Sequence, residues 1–133
     1  MIFVDTGAFL GRSLASDQFH ARAVAGWKRI ADKGERCCTS SFVLDETLTL
    51  LARRADYAFA AERGRAIRDS RVLSILRPTE RIEDEALDLF EKFADQRVSL
   101  TDCVSFALMR DGRIKRAFTF DAHFVRAGFE LWR

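Results

Sequence analysis

The chain has 133 residues, 48% of them hydrophobic and 32% charged with a single Pro, which excludes a disordered or low-complexity chain and suits one domain with an ordinary core. Its net charge of +2 excludes a strongly basic or acidic protein. No apolar run approaches the ~20 residues that span a bilayer, and Asp5 interrupts the short apolar run at the N-terminus with no basic residue before it, unlike a signal peptide. Residues 1–133 are therefore expected to form a single cytoplasmic domain with no membrane partner. Cys37, Cys38 and Cys103 show no framework spacing, and with two histidines a zinc site is disfavoured, so free buried thiols are expected.

Taken in order, Met1-Ile2-Phe3-Val4 reads as a buried strand of a parallel sheet, ending in Asp5 and followed by a turn at Thr6-Gly7. Ser16 is the expected N-cap of a helix from about Asp17 to Lys33, with His20, Ala23, Val24, Trp27, Ile30 and Ala31 on one stripe and Gly34 as its stop. A short strand over 36–39 precedes a helix capped by Ser40 or Ser41 and running to about Arg54. The apolar residues of that helix wrap much of its surface, so it is expected to be deeply buried. Glu46 interrupts this apolar stripe, where a carboxylate needs a partner, a proton or a cation.

A further helix is expected over about 55–69, a strand over 72–76, and an amphipathic helix after Thr79. The latter has Ile82, Ala86, Leu89, Phe90 and Phe93 on one face and Asp84, Asp88, Glu91 and Asp95 on the solvent face. Ser99 opens a helix to about Asp111, with Asp102 in its first turn and a buried face carrying Phe106 and Met109. Strands are expected over 116–120, ending in Asp121, and over 130–132. Strands alternating with helices predict an α/β sandwich with a mostly parallel sheet.

Charge is unevenly spread. Residues 53–81 hold eight Arg against four acids, whereas residues 82–102 hold seven acids against Lys92 and Arg97. The arginine-rich segment suits either nucleic acid or a solvated surface of long side chains covering apolar area.

Asp5 and Asp121 end strands, Asp102 starts a helix and Glu46 sits inside an apolar helix face. In open parallel sheets, ligands bind beyond the carboxyl ends of the strands. If the first and fourth strands are neighbours, all four acids converge at one such edge, where mutual repulsion calls for a hard divalent cation such as Mg²⁺ or Mn²⁺. Next to basic surface, that points to phosphodiester hydrolysis. Each acid also has a plainer role available: turn capping for Asp5 and Asp121, a helix-dipole acid for Asp102, and an ion pair with a buried Arg for Glu46.

Val4-Asp5-Thr6-Gly7-Ala8-Phe9-Leu10, Leu44-Asp45-Glu46-Thr47, Leu100-Thr101-Asp102-Cys103 and Phe118-Thr119-Phe120-Asp121-Ala122-His123-Phe124 resemble, in order, the four acidic motifs of PIN domains. The length resembles that of the VapC-type ribonuclease toxins. The resemblance implies a three-layer sandwich with sheet order 3-2-1-4-5 and Mg²⁺- or Mn²⁺-dependent endoribonuclease activity. It implies Asp5, Glu46, Asp102 and Asp121 as the acidic site, with Asp5 and Asp102 as the foremost metal ligands and Glu46 and Asp121 binding or orienting the metal and its water. Thr6, Thr101 and Thr119 are implied to support these acids. His123 stands where some relatives carry a further Asp, while His20 reads as a packing or surface residue. RNA is the implied substrate, and a VapB-type antitoxin and a second copy of the chain are the implied protein partners. Competing readings are a catalytically silent PIN-like binding module and a phospho-aspartate domain. The second is disfavoured because Gly7 stands where a phosphatase would want an Asp and no Lys lies at the end of the fourth strand.

Overall fold

A computed structural model describes all of residues 1–133. Five strands form one sheet: β1 (Ile2–Val4), β2 (Cys37–Ser40), β3 (Leu73–Leu76), β4 (Arg116–Phe118) and β5 (Glu130–Leu131). Every pairing is parallel and the order is β3-β2-β1-β4-β5, as expected. Between the strands lie α1 (Thr6–Ser13), α2 (His20–Lys33), α3 (Ser41–Arg54), α4 (Tyr57–Asp69), α5 (Glu80–Lys92), α6 (Leu100–Asp111) and α7 (His123–Arg126). No helix is long and apolar enough to cross a membrane.

β1 is buried throughout, so both of its faces are covered. Phe3 packs towards Phe124 of α7, while Phe118, paired with Val4 in the sheet register, meets Trp27 of α2. Successive residues of a strand point to opposite faces. The layers on either side of the sheet are therefore fixed by the alternation of Phe3 and Val4.

Side chains close the helix starts. Ser40, Asp56, Thr79 and Ser99 each accept a hydrogen bond from the backbone N–H three residues on, and each such cap stabilises by about 1 kcal/mol. All three cysteines are free and buried, and burial pushes the thiols of Cys37 and Cys103 up to about 11 and that of Cys38 to about 12.

The structure departs from the expectations in five places. The turn expected after Asp5 is the two-turn helix α1. A Cβ on Gly11 within it would lie 2.7 Å from the Ala23 Cβ, so this glycine lets α1 and α2 cross closely. α2 starts at His20, because Asp17 accepts the Phe19 N–H at 2.9 Å and holds a turn in place of a first helical turn. Its apolar stripe is narrower than expected, with Val24 and Ala31 exposed and Gly26 buried. α3 is only partly buried, with Phe42, Leu48 and Leu50 half-exposed, and Phe90 of α5 is 45% exposed. β4 ends at Phe118, where the Thr119 hydroxyl accepts the Asp121 N–H at 3.0 Å and turns the chain out of the sheet.

Candidate active site

From β1 the chain crosses to β2 and β3 on one side, and after β3 it returns to β4 on the other side of β1. That reversal opens a crevice past the ends of β1 and β4, the place where doubly wound sheets bind ligands. Asp5 follows β1 directly, and its N–H donates to the Phe118 carbonyl at 3.1 Å, carrying the β1–β4 pairing one residue beyond the strands. α3 contributes Glu46, the first turn of α6 contributes Asp102, and the turn after β4 contributes Asp121 and His123. All five line one cleft of about 570 Å³ with Thr6, Phe19 and Arg97.

A short chain of hydrogen bonds orders the acids. The Thr119 hydroxyl donates to Asp5 Oδ2 at 2.8 Å while accepting the Asp121 N–H. The His123 N–H donates to Asp121 Oδ1 at 2.9 Å. Both hydroxyl functions of Thr119 are thus committed, and the geometry of Asp5 is locked to that of the Asp121 turn. His123 Nδ1 lies 3.1 Å from Asp121 Oδ1 and 3.8 Å from Asp102 Oδ2, buried and without a hydrogen bond. One ligand atom from each of Asp102, Asp121 and His123 falls within 4.8 Å of the others.

Electrostatics reflect this crowding. Burial pushes the Asp5 carboxyl up to about 6, the hydrogen bonds from Thr119 and the Thr6 N–H pull it back, and the charges of Asp121 and Glu46 raise it further. Asp102 is pushed up to about 8, first by burial, then by Asp5 and Asp121, by hydrogen bonding with Asp121, and by Glu46. No Lys or Arg forms an ion pair with any of the four acids.

Of the sequence-expected residues, the four acids meet in the cleft. Glu46 is half-exposed with no ion pair, so the alternative role, pairing with a buried Arg, is absent, while its neighbour Asp45 faces solvent. Thr119 contacts Asp5 through its side chain. Thr6 does so through its backbone, and its buried hydroxyl has no partner. The Thr101 hydroxyl makes no hydrogen bond; Ser99 instead accepts the Asp102 N–H at 3.1 Å. His20 packs, with Nδ1 2.7 Å from the Gly11 carbonyl oxygen.

Sequence reasoning passed over Arg97, Phe19 and Phe120. Arg97 adopts a left-handed conformation (φ 53°), which no sequence signal announces in a residue other than Gly, Asn or Asp. Phe19 and Phe120 stack with ring centres 4.6 Å apart across a sequence separation that no local pattern spans.

Three comparisons bear on this arrangement. The family model described as PIN domain matches residues 2–130. The chain is 38% identical over 129 residues to the 23S rRNA-specific endonuclease VapC20 of Mycobacterium tuberculosis, covering 97% of this chain and 95% of that protein. It is 29% identical to a VapC ribonuclease of Archaeoglobus fulgidus, covering 98% of this chain and 84% of that one. Among solved structures, it resembles M. tuberculosis VapC20, described as a sarcin-ricin loop cleaving toxin, with a TM-score of 0.88 at 36% identity over 97% of this chain and 96% of that one. Its likeness to Rickettsia felis VapBC2 bound to a promoter DNA fragment (TM-score 0.70, 15% identity, 99% and 98% covered) concerns the fold alone. A match over nearly the whole length, four acids at the sheet reversal and a relative above one-third identity lead to one conclusion: the chain belongs to the PIN-domain family.

Proposed function

We propose that the protein is a divalent-metal-dependent endoribonuclease toxin that hydrolyses a phosphodiester bond by water attack and is neutralised by a VapB-type antitoxin. The observation that carries the reading is the meeting of Asp5, Glu46, Asp102 and Asp121 in one cleft with no Lys or Arg ion-paired to any of them. The names of the relatives support it, and they make 23S rRNA the first substrate to test. A second copy of the chain is the other proposed partner.

The residues fit a hard divalent cation. Carboxylate oxygens dominate the donor set, which suits Mg²⁺ or Mn²⁺, and the buried, unpartnered His123 Nδ1 beside Asp102 and Asp121 adds a nitrogen donor. Asp102, Asp121 and Asp5 would hold the ion, with His123 at its edge. When bound, such an ion supplies positive charge that offsets the repulsion among the acids and stabilises charge on phosphate oxygens.

The chain's own groups do the rest. The Thr119 hydroxyl favours the ionised form of Asp5 against burial and fixes its direction. Glu46, free of hydrogen bonds and half-exposed, is the carboxylate placed to orient the attacking water and take its proton. Arg97, on the cleft wall, is placed to bind a phosphate of the substrate. Attack by water breaks one P–O ester bond, leaving a phosphomonoester on one fragment and a hydroxyl on the other.

The test is cleavage of ribosomal and total RNA with Mg²⁺, with Mn²⁺ and with EDTA, alongside Asp5→Asn prepared identically. Discrete fragments that require metal and are lost in Asp5→Asn are expected. Equal cleavage by both proteins, or metal-dependent stabilisation with no cleavage of any RNA, would overturn the proposal.

A further inference from the structure

Beside the acidic cleft lies a second groove, of about 290 Å³, that has the opposite charge. Arg22 and Arg29 of α2 reach it from one helix face with Gly26 between them, and Arg133, Phe120 and Trp132 complete its walls. No Asp or Glu lines it, and none of the three arginines forms an ion pair. Phe120 lines both cavities, so the basic groove continues from the acidic cleft across its ring.

The cations are held in place by aromatic rings. The Arg22 guanidinium lies 5.1 Å from the centre of the Phe120 ring and 5.6 Å from that of its stacking partner Phe19. Arg29 lies 5.1 Å from the Trp132 ring. A guanidinium resting on a ring keeps its N–H edges free, and its planar fork matches a phosphate. The backbone brings the row together: α2 approaches the sheet so closely at Gly26 that a Cβ would lie 2.5 Å from Phe118 Cζ. That approach sets Arg22 and Arg29 beside the end of β4, next to the turn that carries Asp121.

We propose that this groove binds the phosphate backbone of single-stranded RNA flanking the scissile bond, with Arg22 and Arg29 as phosphate ligands and Arg133 at its outer end. The proposal rests on the ribonuclease reading for the identity of the strand. A polyanion entering a cleft lined by four carboxylates needs cationic contacts elsewhere, because phosphate contacts supply most of the affinity for nucleic acid. Continuity with the cleft, arginines without carboxylate partners and the absence of any Asp or Glu side chain in the wall together place those contacts here.

The test uses the full chain in EDTA, where no metal is available, with a fluorescein-labelled single-stranded oligoribonucleotide of mixed sequence and anisotropy read over a range of salt. Each phosphate contact removed lowers the slope of log K against log salt by about 0.7, so Arg22→Gln/Arg29→Gln is expected to lower it by about 1.4. In metal-loaded cleavage, the same variant is expected to raise KM and keep kcat. Arg22→Lys/Arg29→Lys retains the charge and should restore most of the slope, which separates charge loss from a local packing defect. An unchanged slope and an unchanged KM would overturn the proposal, as would a slope that falls for duplex DNA but not for RNA. If the parent binds RNA with this slope but cuts none, the groove stands and the ribonuclease reading fails.

Discussion

Replacing Asp102 with Asn should stabilise the metal-free protein, and by an amount that depends on pH. The Asp102 carboxyl is pushed up from 3.8 to about 8. At pH 7 the folded protein must therefore hold a proton that the unfolded chain releases. A gap of roughly 3 pKa units between 3.8 and pH 7 corresponds to about 4 kcal/mol of lost stability. Asn needs no proton, but its amide must still be buried, which returns about 1–2 kcal/mol. The expected net gain is about 2–3 kcal/mol, or roughly 6–12 °C in Tm for a chain of this size.

The sign follows from the direction of the shift. A carboxyl whose folded pKa is raised leaves stability intact below the unfolded value and removes it as pH rises through the folded one, so the parent should weaken between about pH 4 and pH 8. At pH 5 the ceiling on the gain falls to about 2 kcal/mol. Thermal melts of parent and Asp102→Asn in EDTA at pH 5, 7 and 8.5 read this directly. An Asn variant that melts below the parent at pH 8.5, or a difference that does not shrink at pH 5, would refute the account of a crowded, buried acidic cluster.

Thr119→Val removes the hydroxyl that donates to Asp5 and accepts from the Asp121 N–H. It should raise the Asp5 pKa further, cost about 1–3 kcal/mol and shift the pH–rate profile of cleavage upward, as read by melts and rates across pH. Glu46→Gln should abolish cleavage in an RNA assay, whereas Asp45→Asn, at an exposed position, should leave it intact. Gly26→Ala gains about 1 kcal/mol of helix propensity but drives a methyl into the Phe118 ring at 2.5 Å. Overpacking costs about 1–3 kcal/mol, so a net destabilisation of up to about 2 kcal/mol is expected in denaturant titration. If water is the nucleophile, a 2′-deoxy substitution at the scissile nucleotide should not stop cleavage, and the products should carry no 2′,3′-cyclic phosphate. A cyclic end would mean attack by the 2′-hydroxyl instead.

What the sequence made legible follows from which physical signals are local. The strands β1 and β4 are short runs that each lead to a carboxylate, and the caps Ser40, Thr79 and Ser99 stand directly before their helices, so the elements and the candidate acids could be read off locally, whereas the strand order came from the resemblance to PIN domains. α1 was hidden because its glycines look like turn residues, although Gly11 serves a helix crossing decided by Ala23, twelve residues away. The partial exposure of α3 was hidden for a related reason: apolar periodicity shows which residues prefer burial, not whether a neighbouring element covers them. Within the site, the carboxylates carry a sequence signal because strand ends and helix starts favour them. The Phe19–Phe120 stack and the left-handed Arg97 carry none, since both depend on tertiary placement.

The same crevice concentrates the cost of function and the means of offsetting it. Asp5 and Asp102 are buried where the sheet reverses, so both ionise against burial and against one another. Only Asp5 has a hydroxyl to hold its charge, through Thr119, and Asp102 accordingly carries the larger upward shift. Everything around them is firmly built: β1 buried on both faces, Thr39 donating to the Val4 carbonyl at 2.7 Å just before Asp5, and Trp27 donating to the Ala8 carbonyl at 3.0 Å just after it. A rigid frame prevents the acids from relaxing apart, so their repulsion persists until a cation or protons neutralise it. Under the proposed metal dependence, Mg²⁺ or Mn²⁺ should therefore raise the Tm of the parent more than that of Asp102→Asn, and more at pH 8.5 than at pH 5. Equal stabilisation of both proteins at both pH values would place the ion outside this cluster.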